Sequence, residues 1–182
     1  LDNQGTLVIP TAGRLRVIDS AISRVTVLQG LLRGTARFIV TERLDWQSLP
    51  GGASTLMTRR CSPDFGPDDC SVAAPTPGVV EIAVGAELNV DERGVNLKDQ
   101  YVIENHGTVR ISGDGYIAAD YGTAFRNLRL DGDPVPKFII ENDRGYYQGY
   151  SSTLFGLSDF VNTGRIIKQG GTGTSVIDAD YA

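Results

Sequence analysis

One small phrase constrains this chain more than any other feature: an apolar residue, any residue, then Asn. It occurs at Leu1–Asn3, Ile103–Asn105, Phe125–Asn127, Ile140–Asn142 and Phe160–Asn162. The flanking text agrees as well, since "NQGTLVI", "NHGTVRI" and "NTGRIIK" match over most of their length, with Gly5, Gly107 and Gly164 two residues beyond each Asn. The last four Asn lie 22, 15 and 20 residues apart, and the long gap before Asn105 contains an atypical segment, 53–77. A spacing near 20 residues is the mark of a repeat architecture, with one turn of backbone per period.

Short β-branched runs such as "GTLVIP", "RVTVLQG", "ARFIVTE", "VVEIAVG", "GTVRIS" and "KFIIEN" are cut off by Gly, Asn, Asp or Pro, so the chain reads as all-β. Residues 14–32 could be forced onto a helix, but Val17, Ile18, Ile22, Val25 and Val27 favour strands. Strands at this spacing suit a parallel β-solenoid or an antiparallel β-sandwich, and the repeated phrase favours the solenoid. In such a coil the apolar residue points inward and the chain turns at Asn. Asn tolerates the left-handed backbone that β-branched residues refuse. Asn3, Asn105, Asn127, Asn142 and Asn162 are therefore expected as stacked structural corners, bonded along the stack.

The bulk numbers exclude some functions. A length of 182 residues fits one domain, and a net charge of −5 argues against nucleic acid. No run of 18 apolar residues exists to span a membrane. The chain opens inside a strand-like phrase without Met or a signal peptide, which reads as mature protein or part of something longer. Cys61 and Cys70 bracket "CSPDFGPDDC", a loop with little apolar content to hold it. A disulfide between them is expected, with an oxidising compartment as its consequence. The expected organisation is a single domain over 1–182 with a projecting, disulfide-closed insertion at about 53–77.

The blocks "GAELNV", "IENHGTVRISGDGYI", "GTAFRNL" and "DFVNTGRIIKQGGTGTSVIDADY" resemble repeats of large secreted or surface-exposed bacterial proteins of the autotransporter and adhesin kind. The resemblance covers about two thirds of the chain, most clearly residues 78–182, and departs from the pattern at 53–77. It implies a single-stranded right-handed parallel β-helix of roughly seven rungs of about 20 residues each. It also implies an extracellular or cell-surface location, and its motifs specify architecture better than activity.

Chemistry is sparse. Asp114, Asp120, Asp131, Asp133 and Asp143, with Arg110, Arg126 and Arg144, could serve a polysaccharide lyase or hydrolase. Their contexts, "GDGY", "LDGDP" and "NDRG", are those of ordinary polar turns. His106, the only histidine, occupies a corner and has no acidic partner nearby in sequence, so it reads as an exposed turn residue. The "GGTGT" stretch is followed by no helix and is not a phosphate loop. Asp64, Asp68 and Asp69 lack regular calcium-ligand spacing, and no metal or cofactor is expected. Tyr146, Tyr147 and Tyr150 could stack on sugars or alternate in and out along a strand. The expected function is a non-catalytic structural or adhesive segment of an extracellular bacterial protein. Its expected partners are itself, end to end, or flanking rungs of a parent chain, with surface glycan as a further candidate. A polysaccharide lyase or hydrolase and a carbohydrate-binding module are the alternatives.

Overall fold

The computed structural model describes residues 1–48, 54–57, 76–120, 122–148 and 158–181. Three long strands, Asp2–Ile9 (β1), Ala21–Leu28 (β3) and Arg37–Trp46 (β5), stack in parallel at one end of the larger sheet. Beyond them the same span is divided by a corner into two short strands. The pairs are Val79–Ile82 (β7) with Glu87–Val90 (β8), Val102–Asn105 (β10) with Thr108–Ile111 (β11), Ala124–Asn127 (β13) with Lys137–Ile140 (β14), and Asp159–Asn162 (β16) with Arg165–Lys168 (β17). A last strand, Asp180–Tyr181 (β18), pairs with β16. The smaller sheet is made of Arg14–Val17 (β2), Leu31–Gly34 (β4), Thr55–Met57 (β6), Gly94–Lys98 (β9), Tyr116–Ala119 (β12) and Tyr146–Gln148 (β15).

Every pairing among the described residues is parallel, in a twelve-stranded and a six-stranded sheet. Strand β5 is the hinge of the larger one. Its first half pairs with β7 and its second half with β8, so two arms, β7-β10-β13-β16-β18 and β8-β11-β14-β17, diverge from a single strand.

The expected single-stranded right-handed parallel β-helix of about seven 20-residue rungs is thereby corrected. The larger sheet is continuous through β5 and curls into a nearly closed, barrel-like arrangement, with the second parallel sheet beside it. The antiparallel sandwich is corrected too, because no antiparallel pair occurs among the described strands. The reason lies in the uneven repeat. Positions that stack are 20 residues apart at Asn3 and Ser23, 22 at Asn105 and Asn127, and 35 at Asn127 and Asn162. The long early strands cross the corner position with only a register shift, so they join the two arms instead of separating them.

The strands form because inward positions are mostly apolar and outward ones mostly polar, giving the alternating burial of β4, β7, β8, β11 and β12. Both arms and the smaller sheet face one core. Phe38, Val80, Ile103, Phe125 and Phe160 form a single row in register along one arm, all fully buried. Phe125 meets Phe138 of the other arm edge to face at 5.0 Å and Tyr146 of the smaller sheet at 6.0 Å.

Residues 55–57, inside the expected insertion, belong to the smaller sheet: β6 pairs with β4 on one side and β9 on the other. Two glycines show why corners need them. Gly34 has a φ of 138°, and a Cβ there would overlap the Val17 carbonyl oxygen. At Gly107 a Cβ would overlap the carbonyl oxygens of Ala83 and Ala86 in the adjacent corner.

Candidate functional site

Where the sequence repeats its phrase, the structure builds a row of side chains. Pairing register puts Asn105, Asn127 and Asn162 directly opposite one another, and Asn3 opposite Ser23. Asn105 Nδ2 donates to Asn127 Oδ1 at 2.7 Å, and Asn127 Nδ2 donates to Asn162 Oδ1 at 2.6 Å. Asn105 Oδ1 also accepts the Gly107 amide at 3.1 Å, and its Nδ2 reaches the Lys137 carbonyl at 3.1 Å. Asn3 donates to Ser23 Oγ at 3.0 Å in the same direction. Ile103, Phe125 and Phe160 point inward, whereas Leu1 is 63% exposed.

Two details of the expectation change. Among the described residues only Asp99 and Gln100 are non-glycine residues with positive φ, so none of these Asn adopts the left-handed backbone. They stay extended in their strands, and the side-chain amide completes the corner's hydrogen bonding. Asn142 lies outside the row: at the corner after β14 its Nδ2 donates to the carbonyls of Ser112, Gly113 and Gly115.

The acid–base candidates are not brought together. Asp120 is buried and pairs with Lys98 at 3.5 Å. Arg110 bridges Glu87 and Glu141, and Arg126 pairs with Glu104 at 3.1 Å. Glu104 in turn shares Arg37 with Glu81, at 2.7 and 2.5 Å. Asp114 and Asp131 are exposed and Asp133 half-buried, in turns after β11 and β13. Among the described residues, no group of three or more His, Cys, Asp or Glu could hold a metal. His106 is buried, not exposed as its turn position suggested, and its Nδ1 donates to the Leu128 carbonyl at 2.8 Å. Cys61, Cys70, Asp64, Asp68, Asp69 and Tyr150 lie outside the described residues.

The "GGTGT" stretch has a local role. Asp143 accepts the Gly173 amide at 2.8 Å, the Thr172 amide at 3.2 Å and the Lys168 ammonium at 2.9 Å. The glycine-rich backbone wraps a side chain of its own protein. The Lys168 contact foremost, with the two amides, holds the Asp143 carboxyl below its ordinary 3.8. A depressed folded value means the contact stabilises above the unfolded value and is lost as pH falls through the folded one. Amide shifts of Thr172 and Gly173 should therefore titrate with a midpoint below 3.8, and Asp143→Asn should abolish that titration. A midpoint at or above 3.8 in an NMR titration would show that these amides do not hold the carboxylate.

The Tyr run alternates. Tyr146 is buried, and burial raises its phenol above the ordinary value; Tyr147 is half-exposed on the outer face of the smaller sheet. There Tyr116 meets it edge to face at 5.6 Å, and the Arg144 guanidinium stands 6.0 Å from the Tyr116 ring centroid. On the same face, register places Arg14 beside Leu31 and Arg16 beside Arg33. Sequence reading missed Tyr116, Arg14, Arg16 and Arg33. Alternation in "RLRV" and "LLRG" shows which residues face outward, but only the pairing register shows that they are neighbours.

No family model, no curated protein and no solved structure matches this chain. No helix among the described residues is long and apolar enough to cross a membrane.

Proposed function

We propose that this chain is a non-catalytic structural and adhesive segment of an extracellular bacterial protein, extended through its open sheet edges. The observation that carries the reading is the parallel stack itself. Strand β1 pairs only with β3, and β17 only with β14, so each leaves one side of its backbone unpaired among the described residues. Unpaired edges invite another strand. Because all strands run parallel, the two edges differ, and a contact between them is head to tail and propagates. Exposed Leu1, Val8 and Ile18 add apolar surface near the β1 edge. Flanking segments of a parent chain would meet the same edges. The repeat resemblance and the disulfide expected between Cys61 and Cys70 support the extracellular setting.

Sedimentation of the 182-residue chain over a concentration series should show a mass that grows with concentration. A monomer at every concentration would defeat the self-association reading. Thiol titration of unfolded, unreduced protein should find essentially no free thiol, and two reactive thiols would remove the case for an oxidising compartment.

A further inference from the structure

The outer face of the six-stranded sheet gathers arginines without counter-charges, as Lys137 and Arg165 do on a smaller scale on the larger sheet. Along the larger sheet many cations are matched: Arg24 with Glu42, Arg37 with Glu81 and Glu104, Arg43 with Asp45, Arg110 with Glu87 and Glu141. On the smaller sheet, Arg14 and Arg16 of β2 and Arg33 of β4 project outward with no ion pair or hydrogen bond to their side chains among the described residues, the Arg33 Nε being buried without a partner. Lys98 continues the line two strands further on, since Arg33 pairs with Met57 and Met57 with Lys98. No outward strand position of this sheet holds a carboxylate, in a chain whose net charge is −5. Asp120 is placed against Lys98 at the face's margin, and Asp19 lines the same cleft as Arg16.

The far end of the same face carries aromatic rings. Tyr116 lies across Gly94, where any Cβ would overlap the ring, so the phenol is laid along the sheet surface. Tyr147 stands beside it on the neighbouring strand. Six parallel strands at ~4.8 Å spacing give a face roughly 24 Å long from Arg14 to Tyr147.

We infer that this face binds a linear anionic polysaccharide, its carboxylate or sulfate groups on Arg14, Arg16 and Arg33 and a sugar ring on Tyr116 and Tyr147. Guanidinium forks match both carboxylate and sulfate oxygens, and tyrosine rings stack on the apolar face of a sugar. The regular strand spacing sets the cations in a row, which suits a polymer with charge repeated along its length. Duplex nucleic acid is the less favoured polyanion, because its rings are stacked inside the helix and leave Tyr116 and Tyr147 nothing to stack on. The inference deepens the adhesive part of the proposed function by naming the ligand class, and it is independent of self-association.

The test is binding of the intact chain, at low and at raised salt, to heparin, to polygalacturonate, to neutral dextran and to duplex DNA. Binding to heparin or polygalacturonate but not dextran is expected, weakening with salt, and the stronger of the two identifies sulfate or carboxylate as the preferred group. The double variant Arg14→Ala/Arg16→Ala, both exposed and away from the core, should weaken binding by about tenfold or more. Tyr147→Ala should weaken it without changing the salt dependence. The inference is overturned by no binding to either acidic polymer, by equal binding to DNA, or by undiminished binding in the arginine variant. A chain that stays monomeric yet binds would remove the association reading and leave this one standing.

Discussion

Phe125→Ala is expected to be the most damaging single change in the molecule, at about 3–5 kcal/mol. The ring is fully buried and stacks on Phe160 at 5.1 Å and 9° while meeting Phe138 edge to face at 5.0 Å. With Phe160 it is thus a point where the two arms of the larger sheet and Tyr146 of the smaller one meet. Its neighbours belong to strands tied by backbone bonds, so they cannot close a cavity by sliding inward. Against a total stability of about 5–15 kcal/mol, such a loss lowers the thermal midpoint by something on the order of 10 °C. Urea unfolding of the variant beside the parent measures it. A loss under about 1 kcal/mol would show that the core is not shared between the arms.

Asn127→Ala should cost about 1–3 kcal/mol, because it removes a buried hydrogen-bond partner from each of two neighbours. Asn105 Nδ2 loses the Asn127 acceptor and keeps only backbone carbonyls, while Asn162 Oδ1 loses the Asn127 donor, at a position with no exposure to water. Asn3→Ala provides the contrast. Asn3 sits at the partly exposed start of the row, with a single side-chain acceptor, Ser23, beyond its local turn, so its loss should stay within about 0.5 kcal/mol. Equal effects at the two positions, measured by urea denaturation, would mean that the row adds nothing beyond each local turn.

These contrasts mark what the sequence could and could not convey. The all-β character was legible because alternation in "GTLVIP" or "KFIIEN" reflects one buried face. The corner phrase was legible because Asn and Gly were repeated with their flanks. How the strands assemble was not, since assembly depends on whether a corner interrupts a strand. Nothing in "RFIVTERLDW" announces that β5 runs on as ten residues and ties two arms together. The same limit applies to Asn142, whose phrase matches the others but whose place after β14 gives it three carbonyl acceptors instead of an Asn partner. His106 looked exposed because it follows Asn105 in a turn, yet the neighbouring corner at Leu128 covers it. Short strands such as "LLRG" and "YIAA" escaped notice because four residues with Gly, Arg or Ala carry too little apolar contrast. The cation row was hidden for a different reason: Arg16 and Arg33 become neighbours only through strand pairing.

The direction of the hydrogen bonds has a mechanical consequence. In both sheets every interstrand bond points from one strand to the next, so a pull that separates neighbouring strands stretches those bonds lengthwise and loads one pairing at a time. Side-chain links that run the same way, from Asn105 through Asn127 to Asn162 and from Arg37 through Glu104 to Arg126, act as short tethers in parallel with the backbone. Under such a load the chain behaves as a series of weak couplings, each limited by the few residues paired in it. The narrowest pairings, the two residues that join β18 to β16 and the three that join β6 to each neighbour, yield first.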